Sequence, residues 1–111
     1  MYRNIYFLLL LVNMQVYAAP DGADLLRACR TSMNNGFEGI EGMMCEYYLT
    51  PCNCAVGVKA SVPKFCPPAG ASTDDRAAAV IDGLNKSPVL QDQDAQTAAA
   101  VILEKMYPCT E

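Results

Sequence analysis

The chain is short, apolar and acidic, and these properties limit its function. It has 111 residues, 52% of them apolar, with six cysteines, no histidine and no tryptophan. This length allows a single domain with one core. Without histidine, the chain alone can form neither a Ser-His-Asp or Cys-His nucleophile nor a His-ligated zinc or haem site. The net charge of −4 argues against nucleic-acid binding, which depends on neutralising phosphates.

The N-terminal residues have the pattern of a secretory signal peptide. Arg3 supplies a positive charge, an apolar run follows at 5–12, and Val16 and Ala18 have the sizes expected before a cleavage site. We predict cleavage after Ala18 and a single mature domain over 19–111. The apolar run is much shorter than the roughly 20 residues of a membrane span, so we expect no membrane attachment after cleavage.

Six cysteines in a small secreted domain indicate a disulfide framework. They are Cys29, Cys45, Cys52, Cys54, Cys66 and Cys109. The sequence alone does not select a pairing. Cys52 and Cys54, with Met43 and Met44 nearby, also offer soft sulfur ligands for Cu(I), but a C-x-C motif alone is weak. We therefore favour structural disulfides and expect neither a metal nor a cofactor.

The mature chain begins with a predicted helix capped by Asp21. The residues expected to share one face of it are Leu25, Leu26 and Cys29. We expect this helix to end near Thr31, because the Asn-Asn-Gly sequence at 34–36 is a turn signal.

A second helix is predicted to start near Phe37 and to be kinked or stopped by Pro51. Its apolar residues recur at helical spacing, which predicts that they form its buried face. These residues are Phe37, Ile40, Met44, Tyr47 and Tyr48. Whether residues 52–60 continue this helix stays open.

Two amphipathic helices are predicted after a proline-rich loop over 61–72. The third helix is capped by the hydroxyl and acidic residues at 72–75. Its apolar stripe is Ala77, Val80, Ile81 and Leu84. A short turn at 89–92 precedes a last helix from Asp94 to Tyr107. The stripe of that helix is Ala99, Ile102, Leu103 and Met106.

These segments together predict an all-α fold, a small bundle of four to five short helices cross-linked by disulfides. No segment alternates with the period of a strand, and the sequence contains no glycine-rich phosphate loop. Its acidic pairs lie where helix caps and solvated helix faces explain them. We therefore expect a secreted binding protein or a periplasmic helper rather than an enzyme.

Short motifs along the mature chain occur in an order that resembles a known family. They are Leu25-Leu26-x-x-Cys29, Met44-Cys45-x-x-Tyr48-Leu49, Phe65-Cys66-x-Pro68, Gly83-Leu84-x-x-Ser87-Pro88 and Met106-Tyr107-Pro108-Cys109. Over about residues 22 to 109, this ordered set resembles the Rap/Tai family of type VI secretion immunity proteins. The chain departs from the family pattern at Glu46, Tyr47 and Pro51, and in having Cys52 and Cys54 besides four family-like cysteines.

The resemblance implies a small helical periplasmic protein, commonly a homodimer, that binds and blocks an injected peptidoglycan amidase. It also implies the disulfides Cys29–Cys45 and Cys66–Cys109. A rigid inhibitor suits this role because a rigid loop enters a cleft at low entropic cost, and an acidic surface steers association with a basic partner. The alternatives are a small helical periplasmic chaperone of the acid-stress type and a copper-carrying protein.

The segment at 85–94 is the predicted partner-binding site, because it joins the two most clearly predicted helices. Its candidate binding residues are Lys86, Ser87, Pro88, Gln91 and Asp92. A plain helix connection with an N-cap explains the same residues, so both interpretations stay open. In the functional interpretation, this segment enters the amidase cleft together with the loop at 70–75.

Overall fold

The computed structural model describes residues 19–51 and 63–109. Within these ranges the chain forms five helices. They are α1 (Gly22–Asn35), α2 (Gly39–Leu49), α3 (Thr73–Lys86), α4 (Pro88–Gln91) and α5 (Ala95–Met106). These ranges contain no strand, so the predicted all-α fold is confirmed. The predicted signal peptide, and Cys52 and Cys54, lie outside the described residues.

α1 begins with a capping box. The Asp21 carboxylate accepts from the Asp24 N–H at 2.9 Å, and the Asp24 carboxylate accepts from the Asp21 N–H at 3.1 Å. These bonds satisfy N–H groups that a helix start leaves unpaired. The backbone bond from Asp21, with the Arg27 guanidinium 2.7 Å away, lowers the pKa of Asp24 from its ordinary value.

α1 is longer than its sequence predicts: it ends at Asn35, whereas the predicted end was near Thr31. In this additional turn the buried Ser32 hydroxyl has a partner, because it donates to the Ala28 carbonyl at 2.8 Å. The helix then stops at Gly36, which has a left-handed conformation with φ of 76°.

The core lies where α1, α2, α3 and α5 meet. Its buried apolar residues are Leu25, Leu26, Cys29, Cys45, Leu49, Phe65, Ala77, Val80, Leu84, Ala95, Ala98, Ala99, Ala100 and Leu103. The predicted faces of α1 and α3 are confirmed, with Ile81 half-buried at the edge. Met106 was expected in the stripe of α5 but is exposed, because the helix ends there and Tyr107 packs against the core instead.

Two disulfides cross-link the described residues in the pairing that the family resemblance implied. Cys29–Cys45 joins α1 to α2, and both residues are fully buried. Cys66–Cys109 joins the loop before α3 to the chain after α5, and both residues are exposed. Beside it, the Cys66 N–H donates to the Tyr107 carbonyl at 2.8 Å. The proline-rich loop is therefore attached to the C-terminal end of the domain.

α2 packs on the core with a side that differs from the predicted one. Its buried residues are Gly42, Cys45 and Leu49. Ile40 and Tyr47, which we expected in the core, are exposed, and Met44 and Tyr48 are half-buried. The prediction holds for Phe37 and Tyr48, which pack against the core, and was wrong for Ile40 and Tyr47, because apolar spacing alone does not report how a disulfide and a close backbone contact rotate a helix.

The close contact involves Gly42 and Phe37. A Cβ atom at Gly42 would lie 2.0 Å from the Phe37 carbonyl oxygen, so this approach requires glycine. Phe37 does not start the helix as predicted: it lies before Gly39, with a positive φ of 65°, and its half-buried side chain packs against the core. A left-handed non-glycine residue costs about 1–2 kcal/mol, which this packing offsets.

Candidate partner-binding surfaces

The predicted binding segment is a connection built around the short helix α4. The Ser87 hydroxyl accepts from the Leu90 N–H at 3.2 Å, and Pro88 takes the first position of α4. Asp94 caps α5 by accepting from the Thr97 N–H at 3.1 Å. The capping that the plain interpretation predicted is therefore confirmed.

Several polar side chains of this connection already have partners within the chain. The Gln91 amide donates to the Leu84 carbonyl at 2.8 Å. The Lys86 ammonium pairs with Asp82 at 3.0 Å on the exposed surface. An exposed pair contributes less than about 1 kcal/mol, so Lys86 can exchange its partner at little cost. Gln91 and Ser87, in contrast, hold the conformation of the connection.

The outward side of α4 presents small apolar groups and a carboxylate. Its exposed residues are Pro88, Val89 and Asp92. The opposite side packs on the start of α1, where the Gly22 N–H donates to the Gln93 carbonyl at 2.8 Å. A Cβ atom at Gly22 would lie 2.2 Å from the Leu90 carbonyl oxygen, so this contact also requires glycine. The connection is thus fixed to α1 and presents its outer side to solvent.

A second candidate surface lies on the outward side of α2, and we call it the α2 stripe. It consists of Ile40, Met43 and Tyr47, which expose 81%, 73% and 67% of their surfaces. Their spacing of three and four residues places them together, opposite the buried Cys45. The Tyr47 ring meets the Tyr48 ring edge-to-face, with centroids 4.9 Å apart. The stripe is therefore a continuous apolar surface.

An open groove of about 240 Å³ runs between α1 and α2 beside the α2 stripe. Its apolar lining includes Pro20, Ile40 and Met44. Its polar lining consists of Glu41 and the ion pair between Asp24 and Arg27. The groove extends the stripe toward α1 and adds an acidic border to it.

The groove and the C-terminal half of α2 both adjoin the start of α5. The Pro20 carbonyl, at the groove, accepts from the Ala95 N–H at 3.0 Å. Burial raises the pKa of the Tyr48 phenol, and Tyr47 and the nearby Asp94 raise it further. Since Asp94 follows α4 closely, the start of α5 adjoins both the C-terminal half of α2 and the α4 connection.

The two candidate surfaces offer apolar contact area. Across 19–51 and 63–109, no three or more histidine, cysteine or acidic residues are placed to hold a metal ion. Within the same ranges, no helix is long and apolar enough to cross a membrane. Met43, considered with Cys52 and Cys54 as a copper ligand, is exposed on the α2 stripe. These surfaces are suited to binding a macromolecule.

The α2 stripe was missed by sequence reasoning, which placed Ile40 and Tyr47 in the core. A signal for it is nevertheless present. Over Gly39–Leu49, apolar residues occupy nearly the whole circumference of the helix. Such a helix leaves apolar side chains in solvent whichever face packs on the core, so its composition indicates a second apolar partner.

Comparison with known proteins places the chain in a family. No curated protein and no solved structure matches it. The family model described as "Rap1a immunity proteins" matches residues 21–109. The matched region contains all five described helices and both described disulfides. Because this match covers well over half of the chain, the protein belongs to the family of Rap1a immunity proteins.

Proposed function

We propose that this protein is a periplasmic immunity protein that binds and inhibits a peptidoglycan amidase delivered by type VI secretion. Membership of the immunity family carries the proposal, because an immunity protein binds a cognate effector. The motif resemblance to Rap/Tai proteins supports the amidase as the target. Two disulfides support a location outside the cytoplasm. Inhibition by binding requires no catalytic group, and the family favours this role over that of a chaperone.

The α4 connection is the proposed inhibitory element. Three hydrogen bonds hold it in one conformation: the Ser87 hydroxyl accepts from the Leu90 N–H, the Gln91 amide donates to the Leu84 carbonyl, and the Gly22 N–H donates to the Gln93 carbonyl. An element that is already ordered loses little conformational entropy when it enters a cleft. Val89, which exposes 68% of its surface, and Asp92 would then contact the amidase. A homodimer, which the resemblance implies, belongs to the same proposal.

The direct test uses the product of the effector gene expected beside the gene for this protein. The two proteins are purified together, and hydrolysis of peptidoglycan is measured with and without the immunity protein. We expect a stable complex and loss of hydrolysis. An effector whose hydrolysis of peptidoglycan amide bonds is unaffected by the wild-type protein would contradict the proposal. Sedimentation equilibrium of the isolated protein tests the homodimer.

The role of the connection is tested by replacing its outward residues. We expect Val89→Glu combined with Asp92→Lys to weaken inhibition at least tenfold, about 1.4 kcal/mol, with an unchanged melting temperature. Replacing Lys86, Ser87 and Gln91 by alanine is a poorer test, because Ser87 and Gln91 hold the connection itself. Met106→Glu, an exposed position on α5, serves as the control. Full inhibition by the folded double variant would place the contact elsewhere.

A further inference from the structure

We propose that the α2 stripe and its groove form a second contact surface for the effector, and that they accept an apolar surface bordered by basic residues. The inference rests on the proposed function, because it assigns a partner to the same immunity role. It adds a surface that is distinct from the α4 connection.

The first argument is the exposure of the α2 stripe. Ile40, Met43 and Tyr47 each expose two thirds or more of their surfaces, although they are adjacent on one helix. Scattered exposed apolar residues are ordinary, but a contiguous apolar patch marks an interaction site. Tyrosine and methionine are also enriched in protein interfaces. The ring contact with Tyr48 holds Tyr47 in place before a partner arrives.

The second argument is charge, which decides between an effector and a second copy of this chain. α2 carries Glu41 and Glu46 but no lysine or arginine. Arg27, at the groove, is already paired with Asp24. A twofold contact through the stripe would bring the same acidic residues of both copies together. The net charge of −4 instead favours association with a basic surface.

The third argument is area. The α4 helix has four residues, and its outward side is small compared with the roughly 800 Å² that each partner buries in a stable complex. The groove beside the α2 stripe reaches Pro20, whose carbonyl bonds to the start of α5. The α2 groove and the α4 connection therefore both adjoin the start of α5. The stripe supplies the apolar area that the connection lacks.

The test uses calorimetry to measure how tightly each variant of this protein binds the effector encoded by the adjacent gene. A catalytically inactive variant of the effector is used. We expect Ile40→Glu combined with Tyr47→Glu to weaken binding at least a hundredfold. Tyr47→Ala is the milder variant, with an expected loss of about tenfold. Met106→Glu is the control, because it places one glutamate at an exposed apolar position of another helix. Melting temperature and sedimentation are recorded for every variant.

The charge argument has its own pair of variants. Glu41→Lys combined with Glu46→Lys should slow association with the effector and weaken its dependence on salt concentration. Glu104→Lys, on the exposed side of α5, is the control. Faster association of the Glu41 and Glu46 variant would contradict a basic border on the effector and overturn the assignment of the partner.

The outcomes separate this inference from the proposed function. If the wild-type protein does not bind the effector, the proposed function fails. If the wild type binds and the stripe variants bind equally well, only the inference is overturned. A change from dimer to monomer with retained affinity would assign the stripe to a second copy and also overturn it. A large fall in melting temperature in both stripe variants would show that the chain itself covers the stripe. That result would also overturn the inference.

Discussion

The α1–α2 half of the protein buries its disulfide and exposes an apolar stripe on α2, whereas in the other half the disulfide is exposed and α3 and α5 bury most of their apolar stripes. Cys29–Cys45 is fully buried, while Ile40, Met43 and Tyr47 are in solvent. In the other half, Cys66 and Cys109 are exposed, and the apolar stripes of α3 and α5 are largely buried.

The difference shows what sets the rotation of each helix about its axis. In α3 and α5, burial of the apolar stripe is the main force, so the stripe must face the core. In α2, a covalent bond at Cys45 and a backbone contact at Gly42 set the rotation. The remaining apolar residues of α2 are then free to serve another purpose. Apolar residues that do not serve the fold are therefore the ones to examine for binding.

Removal of the disulfides should have the largest effect on stability. For Cys29→Ala with Cys45→Ala, losing the cross-link between cysteines 16 residues apart should lower the free energy of unfolding by about 3 kcal/mol. The buried volume lost with the two sulfur atoms should lower it by roughly 1–2 kcal/mol more. For Cys66→Ala with Cys109→Ala, the 43-residue constraint is worth about 4 kcal/mol, without a buried cavity. Urea denaturation of both variants measures these free energies of unfolding.

The order of reduction is the control for this comparison. A mild thiol should reduce the exposed Cys66–Cys109 first, because its sulfur atoms are accessible to attack. Alkylation followed by peptide mapping identifies the reduced pair. Early reduction of Cys29–Cys45 would show that the α1–α2 half opens readily, and the comparison between the two halves would then fail.

Replacing one glycine by alanine in each half should lower stability less than removing a disulfide does, and the loss should differ between the two halves. Gly42→Ala places Cβ 2.0 Å from the backbone of Phe37, which cannot move aside, and we expect a loss of about 2–3 kcal/mol. Gly83→Ala meets the Ile102 side chain at 2.7 Å, which can shift, and the higher helix propensity of alanine offsets much of the strain. Thermal unfolding compares them. Equal losses would mean that the Gly42 contact does not set the rotation of α2.

Neutralising Asp24 should have the smallest effect, confined to the start of α1. The pKa of Asp24 is lowered in the folded protein, so its carboxylate stabilises the fold above the ordinary value of 3.8. This stabilisation is lost as the pH falls below 3.8 through the lowered pKa. We expect Asp24→Asn to reduce stability at pH 7 by at most about 0.5 kcal/mol, since the side chain is 39% exposed.

A pH series of urea denaturation, from pH 7 to pH 2.5, checks this expectation. The difference between the wild type and Asp24→Asn should shrink toward zero at the acidic end. A difference that is constant with pH would show that the capping bond acts without the charge of Asp24.

The caps and the amphipathic stripes could be predicted from the sequence alone. Asp21 and Ser72 cap their helices as predicted, and Ala77, Val80 and Leu84 are buried. These features depend on residues within one or two turns of each other, so local chemistry is sufficient to define them. The disulfide pairing was reached only through the resemblance of ordered motifs to a family.

The orientation of α2 and the hydrogen bonds within the α4 connection could not be predicted from local sequence patterns. The outward position of Ile40 and Tyr47 follows from a bond to Cys29, sixteen residues before Cys45, and from contact with the Phe37 backbone. The carbonyl that holds Gln91 belongs to Leu84, in the preceding helix. Local patterns define where helices form, but contacts between segments choose the side of each helix that is buried and hence the surface left for a partner.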